Sequence, residues 1–170
     1  MIDKPLVAVI TASSNSGSAC VDELMSRYLD EVRVRAIFRT EEKATLFREK
    51  YANLEIVAGV DANELDTLNK AFEGVNSALI VTPHDPSKGL SEEAASNDAL
   101  LTANMINAAV NNGVKYIVLV ASFTTHEPEK MKIIASRFKP SEDLLVKLEE
   151  EKGIKWTVLR GIFQLFDINI

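Results

Sequence analysis

The stretch Leu6-Val7-Ala8-Val9-Ile10-Thr11-Ala12-Ser13-Ser14-Asn15-Ser16-Gly17 decides how the chain folds. Leu6 to Ile10 is continuously apolar, the pattern of a strand covered on both faces. A run of short polar residues follows, and Gly17 opens a helical pattern that reaches Leu29. A turn placed this way, at the carboxyl end of a strand, aims the free N–H groups and positive dipole end of the next helix at an anion. Read as Gly-x-x-Gly-x-x-Gly, the loop carries Thr11 and Ser14 at the first two glycine positions and keeps only Gly17. Glycine serves there for left-handed backbone angles and close approach to phosphate. The hydroxyls of Thr11, Ser13, Ser14 and Ser16 and the amide of Asn15 offer hydrogen bonds to phosphate oxygens instead. Two readings stand open on the loop alone: a dinucleotide cradle, or a polar strand-to-helix turn with Ser14 or Ser16 as N-cap.

Outward from this unit, short apolar runs alternate with helical patterns to the end of the chain, the signature of βαβ units around a parallel sheet. Strands are expected at Leu6–Ile10, Val32–Phe38, Leu54–Ala58, Ala78–Val81, Tyr116–Ala121 and Trp156–Leu159. Helices are expected at Gly17–Leu29, Glu41–Tyr51, Glu64–Phe72, Glu92–Asn112 and Ser141–Lys152, with Gly74, Gly113 and Gly153 as stop signals. The fragment from Phe123 to Pro140 reads as irregular, with a short helix near Met131. Right-handed crossovers then give an α/β, doubly wound parallel sheet of order 3-2-1-4-5-6, whose ligand crevice lies beyond the carboxyl ends of strands one and four. No repeat or linker interrupts residues 1–170, so one domain is expected.

At the end of strand two stands Arg39, about 20 residues past the loop, where such folds choose between coenzymes. An acid there would bind the ribose 2′-hydroxyl of NAD(H), whereas an arginine suits the 2′-phosphate of NADP(H). Arg39 therefore points to NADP(H), with a surface ion pair to Glu41 or Glu42 as the competing reading. The composition, 46% hydrophobic and 26% charged, is that of a globular protein. A net charge of −6 without a basic run argues against nucleic acid as a partner. The chain has one cysteine, Cys20, no secretory signal and no apolar stretch near the ~20 residues of a membrane helix, so the expectation is a cytoplasmic protein without a membrane partner. Two separated histidines, His84 and His126, make no metal site.

With these residues in view, the chain resembles the NmrA-like group of atypical short-chain dehydrogenases/reductases, over nearly its whole length. Ser14-Asn15-Ser16-Gly17 is similar to that group's Gly-Asn-x-Gly, and Phe38-Arg39 to its strand-two ending. Asp61 with Leu68, Ala71 and Gly74 resembles a Gly-Asp segment followed by Leu-x-x-Ala-x-x-Gly, with Val60 in the glycine position. Val81-Thr82-Pro83, Asn104 to Ala109, Gly113 to Val118 and Trp156 to Arg160 follow the same order, and Gly161 replaces the usual proline. The resemblance implies a Rossmann fold that binds a nicotinamide dinucleotide: the loop on the pyrophosphate, Arg39 on the 2′-phosphate, Asp61 near the adenine, and Thr82 and Pro83 on the nicotinamide side, with Ser122 after strand five. It also implies either an NADPH-dependent reductase of a small carbonyl, quinone or imine, or a redox sensor that regulates a protein partner without turnover.

The chemistry itself is sparse in the sequence. Where relatives carry Tyr-x-x-x-Lys as proton donor and cation, the comparable positions are Phe138 and Glu142, and neither can do that work. Ser122, His84 with Asp85, and His126 follow strand carboxyl ends, but spacing gives none of them a partner, and both histidines read as solvated. Catalytic residues thus stay unassigned. After strand six only Gly161 to Ile170 remain, so the substrate lobe of relatives is expected to be absent or truncated, with the apolar tail as exposed surface or a short edge strand.

Overall fold

The computed structural model describes residues 4–161. Strands β1 (Leu6–Ile10), β2 (Arg33–Ile37), β3 (Glu55–Val57), β4 (Ser77–Val81), β5 (Tyr116–Ser122) and β6 (Lys155–Gly161) alternate with helices α1 (Asn15–Arg27), α2 (Glu41–Lys50), α3 (Leu65–Phe72), α4 (Glu92–Asn111) and α5 (Lys132–Lys152). All strand pairs are parallel and the sheet order is β3-β2-β1-β4-β5-β6, the expected doubly wound arrangement. At its centre Ile10 stands between Ile37 of β2 and Ile80 of β4.

Alternate side chains of each strand feed one of two cores. Ala8, Ile10, Ile80, Ile117 and Leu119 pack with Phe72 of α3, Ile106 of α4 and Leu145 of α5. Val9, Val34, Ala36 and Leu79 pack on the other face with Val21 and Met25 of α1 and Ala44 of α2. Complete burial of each large aliphatic side chain contributes about 1.5–3 kcal/mol, which is why continuously apolar strands need cover on both sides. The alternation of β2 has its predicted effect: Val34 is buried while Arg33 is exposed, and both Arg33 and Arg35 reach across to Glu55 on β3.

Caps fix where the helices begin and end. Ser14 and Ser91 are the N-caps of α1 and α4, their hydroxyls accepting the N–H of Gly17 and Ala94. Gly113 (φ 86°) and Gly153 (φ 67°) take the left-handed conformation that closes α4 and α5, at little steric cost without a Cβ. One segment departs from the sequence reading. Instead of an irregular stretch to Pro140, α5 starts at Lys132 and runs through Pro140. The ring removes one helical hydrogen bond, normally a stop. Here Ile134 and Phe138 pack with Ala121 of β5, and Arg137 meets Asp98 of α4, so tertiary burial holds the helix across the proline. The apolar run from Ile162 to Ile170 lies outside the described residues, as do residues 1–3.

Candidate functional site

The loop between β1 and α1 is held by its own side chains. Thr11 adopts φ 60°, the left-handed conformation for which glycine is the usual residue, and its Oγ1 donates to the Val81 carbonyl at 3.0 Å. The Ser14 hydroxyl donates to the Thr11 carbonyl at 2.8 Å and accepts the Gly17 N–H at 3.1 Å. Two of the hydroxyls offered to phosphate by the sequence are thus committed inside the loop, and what the loop presents is chiefly backbone and the exposed Ser13. Asn15 and Ser16 form the first residues of α1. Gly17 is indispensable to this packing: a Cβ there would lie 2.5 Å from the Thr11 carbonyl oxygen and 3.0 Å from the Ala12 Cα. The glycine that survives is the one that lets helix and loop approach closely.

Arg39 lies exposed beyond the end of β2. It makes no ion pair with Glu41 or Glu42; Glu41 is paired with Arg48 at 2.7 Å. Its charge instead reaches Asp61, after β3, and Asp85, after β4. Asp61 accepts from the Asn63 backbone N–H at 2.9 Å and side-chain amide at 3.0 Å, and these bonds, with Arg39 behind them, hold its carboxyl below the usual range. Asp85 is lowered in the same way, first by the Ser87 hydroxyl and backbone and then by Lys88 and Arg39. One uncommitted guanidinium and two carboxylates therefore share the β2–β3–β4 end of the crevice.

The β4–β6 end is built differently. Thr82 is buried with its Oγ1 lacking any partner, and Pro83 beside it is half-buried. The Ser122 hydroxyl is buried and accepts the Thr124 N–H at 3.4 Å, capping a short 3-10 turn (Phe123–His126). Beneath that turn Glu142 accepts from Thr125 Oγ1 at 2.8 Å, from Arg160 Nε at 3.1 Å and from Arg160 Nη2 at 2.7 Å. Glu142 is the bonded partner that holds the Arg160 guanidinium above its ordinary pKa. Phe138 is buried and has no proton to give.

A further cluster was not readable from the sequence. Asp98 of α4 is buried, with Arg137 Nε 2.9 Å and His84 Nδ1 3.6 Å from its Oδ2. Burial pushes the Asp98 carboxyl up, and Arg137 and His84 oppose that shift. The one available signal was an acid in the apolar stripe of α4, aligned with Ala94, Ala95 and Thr102, all buried. No group of three metal-ligating side chains occurs among the described residues, and no helix among them is long and apolar enough to cross a membrane.

A parallel, doubly wound sheet with a tight glycine-dependent turn at the β1/β4 switch point defines a Rossmann-type nucleotide-binding protein. The orphaned hydroxyl of Thr82 at the end of β4 suits such a ligand. The chain belongs to the NAD(P)H-binding family, whose model matches residues 12–163. No curated protein sequence matches the chain. Solved structures do. Triphenylmethane reductase of Citrobacter sp., complexed with NADP(H), is 23% identical with a TM-score of 0.67 over 91% of this chain and 48% of its own. The NADPH-dependent quinone oxidoreductase of Escherichia coli, complexed with NADPH, is 22% identical with a TM-score of 0.71 over 91% and 48%. The UDP-N-acetylglucosamine 4-epimerase of Bacillus cereus is 15% identical with a TM-score of 0.70 over 92% and 53%. Reductases and an epimerase fit alike, so the likeness is one of fold. The chain spans about half the length of these proteins.

Proposed function

We propose that this chain is an NADP(H)-binding member of the NmrA-like group that reduces a small carbonyl, quinone or imine acceptor. The observation that carries the coenzyme choice is Arg39, exposed and without an ion pair among the described residues, at the end of β2 where a 2′-phosphate would stand. Around it, the backbone of Thr11 to Gly17 receives the pyrophosphate, with Ser13, Ser14, Asn15 and Ser16 shaping the turn. Asp61 borders the adenine ribose, and Thr82, Pro83 and Ser122 border the nicotinamide. When bound, the coenzyme supplies hydride. The protein's work is to orient it, and Thr82 Oγ1, buried with no partner, is the hydroxyl best placed to hold a carboxamide or ribose oxygen. Residues 1–170 form one nucleotide-binding domain, cytoplasmic in this reading.

A second reading, a redox sensor whose coenzyme occupancy is read by a protein partner, is favoured by one observation. At the positions of the Tyr-x-x-x-Lys pair, Phe138 is apolar and Glu142 is fully engaged by Arg160 and Thr125. Titration with NADPH and NADH, followed by nicotinamide fluorescence, tests the coenzyme. NADPH should bind the more tightly, and no binding of either would overturn both readings. Consumption of NADPH with a quinone panel supports the reductase; tight binding without consumption supports the sensor.

A further inference from the structure

A buried carboxylate is costly unless paired, and Asp98 is paired with a buried arginine at 2.9 Å and with a histidine at 3.6 Å that is itself 41% exposed. The proposed function leaves this cluster unused. We propose that His84 is the proton donor of the reduction, its ring oriented by Asp98. This rests on the reductase reading above and adds the acid that reading lacks.

The placement follows from the chain. His84 comes after Val81, Thr82 and Pro83, on the segment that leaves the carboxyl end of β4 and borders the crevice. Asp98 lies on α4 and Arg137 on α5, and these are the charged groups that face the imidazole from the helices around it. On its own segment, Asp85 is turned to Ser87, accepting its N–H at 3.0 Å and its hydroxyl at 2.6 Å. The approach of Nδ1 to Asp98 favours the neutral ring with its proton on Nδ1 and leaves Nε2 as the nitrogen not facing that carboxylate. The separation is longer than a formed hydrogen bond, as catalytic contacts often are without ligand.

Of the other groups on this side, Glu142 is held by Arg160 and Thr125, and His126, unlike His84, has no carboxylate paired with it among the described residues. Arg137 opposes the effect of burial on the Asp98 carboxyl; it is a positioning residue, as is Asp98. A bound reduced nicotinamide would supply hydride to the acceptor carbonyl carbon, the C=O π pair would move to oxygen, and that oxygen would take the Nε2 proton of the His84 imidazolium. The products are the hydroxyl compound, the oxidised coenzyme and His84 neutral with its proton on Nδ1. Solvent restores the lost proton through the exposed side of the ring.

Two measurements test this. Nitrogen-15 NMR of the uncomplexed chain, with His84→Gln used to assign the signals, should show neutral His84 as the Nδ1–H form. NADPH titration should be unchanged in His84→Gln, a substitution at a part-exposed site, while NADPH consumption with 1,4-naphthoquinone falls about 100-fold. Failure of the wild-type chain to bind NADPH would overturn the coenzyme reading underneath. Binding with the Nε2–H tautomer, or undiminished turnover in His84→Gln, would overturn the role of His84 alone; binding without any consumption would overturn the reductase reading with it.

Discussion

The two ends of the crevice use charge in opposite ways. At the β2–β3 end, Arg39 and Asp61 stand exposed and interact at range. At the β4–β6 end, Asp98, Arg137 and Glu142 are all more than nine-tenths buried and directly engaged. The difference separates tasks. A charge left in water with no partner is available to a ligand, whereas a buried pair is committed to holding elements in place, because removing either member strands the other without solvation.

The sharpest way to break this contrast is Asp98→Ala. With Arg137 left buried and unpaired, a loss of about 3–5 kcal/mol is expected in urea unfolding, and a loss near zero would put the pair among ordinary surface contacts. Replacing Asp98 and Arg137 together by Leu and Met should recover most of it. Gly17→Ala comes next. Its Cβ would press on the Thr11 carbonyl, so about 1–3 kcal/mol of stability and the binding of NADPH should go together. Arg39→Ala should weaken NADPH about 10- to 100-fold by titration, leave NADH untouched and move stability by less than about 0.5 kcal/mol. Equal effects on both coenzymes would show that the exposed arginine is not reading the 2′-phosphate.

The smallest effect belongs to Glu55→Gln. Burial works against ionisation of Glu55, but the bonds from Arg33 and Arg35 outweigh it and hold its carboxyl below the usual range. A folded-state pKa below the unfolded one contributes stability at neutral pH that disappears as pH falls through the folded-state titration. The wild type should therefore exceed the variant by about 0.5–1 kcal/mol at pH 7 and converge with it in acid below the ordinary carboxylate range, read from urea midpoints.

Much of the frame was legible because local rules and tertiary packing agree there. Leu6–Ile10 is an apolar run that becomes β1 residue for residue, and Ser14 was one of two caps offered. The sequence failed where long-range packing overrules a local rule. Pro140 reads as a stop, yet contacts from β5 and α4 carry α5 through it. For the candidate site, the places of Arg39 after β2 and of the loop between β1 and α1 could be read because position along a βαβ unit fixes them. His84 read as solvated because its partner, Asp98, lies on the following helix and no spacing rule joins them. Likewise Arg160 of β6 and Thr125 of the 3-10 turn converge on Glu142 of α5 from two different elements.

Thr11 has one more consequence. A glycine at that corner would make a supple hinge, free to swing as a ligand enters. The threonine is stitched by its hydroxyl to the last residue of β4, so the two strands that border the switch point share a seam. Whatever displaces the corner must drag the root of the segment bearing Thr82 and His84 with it, so the turn before α1 and the exit of β4 move as one piece.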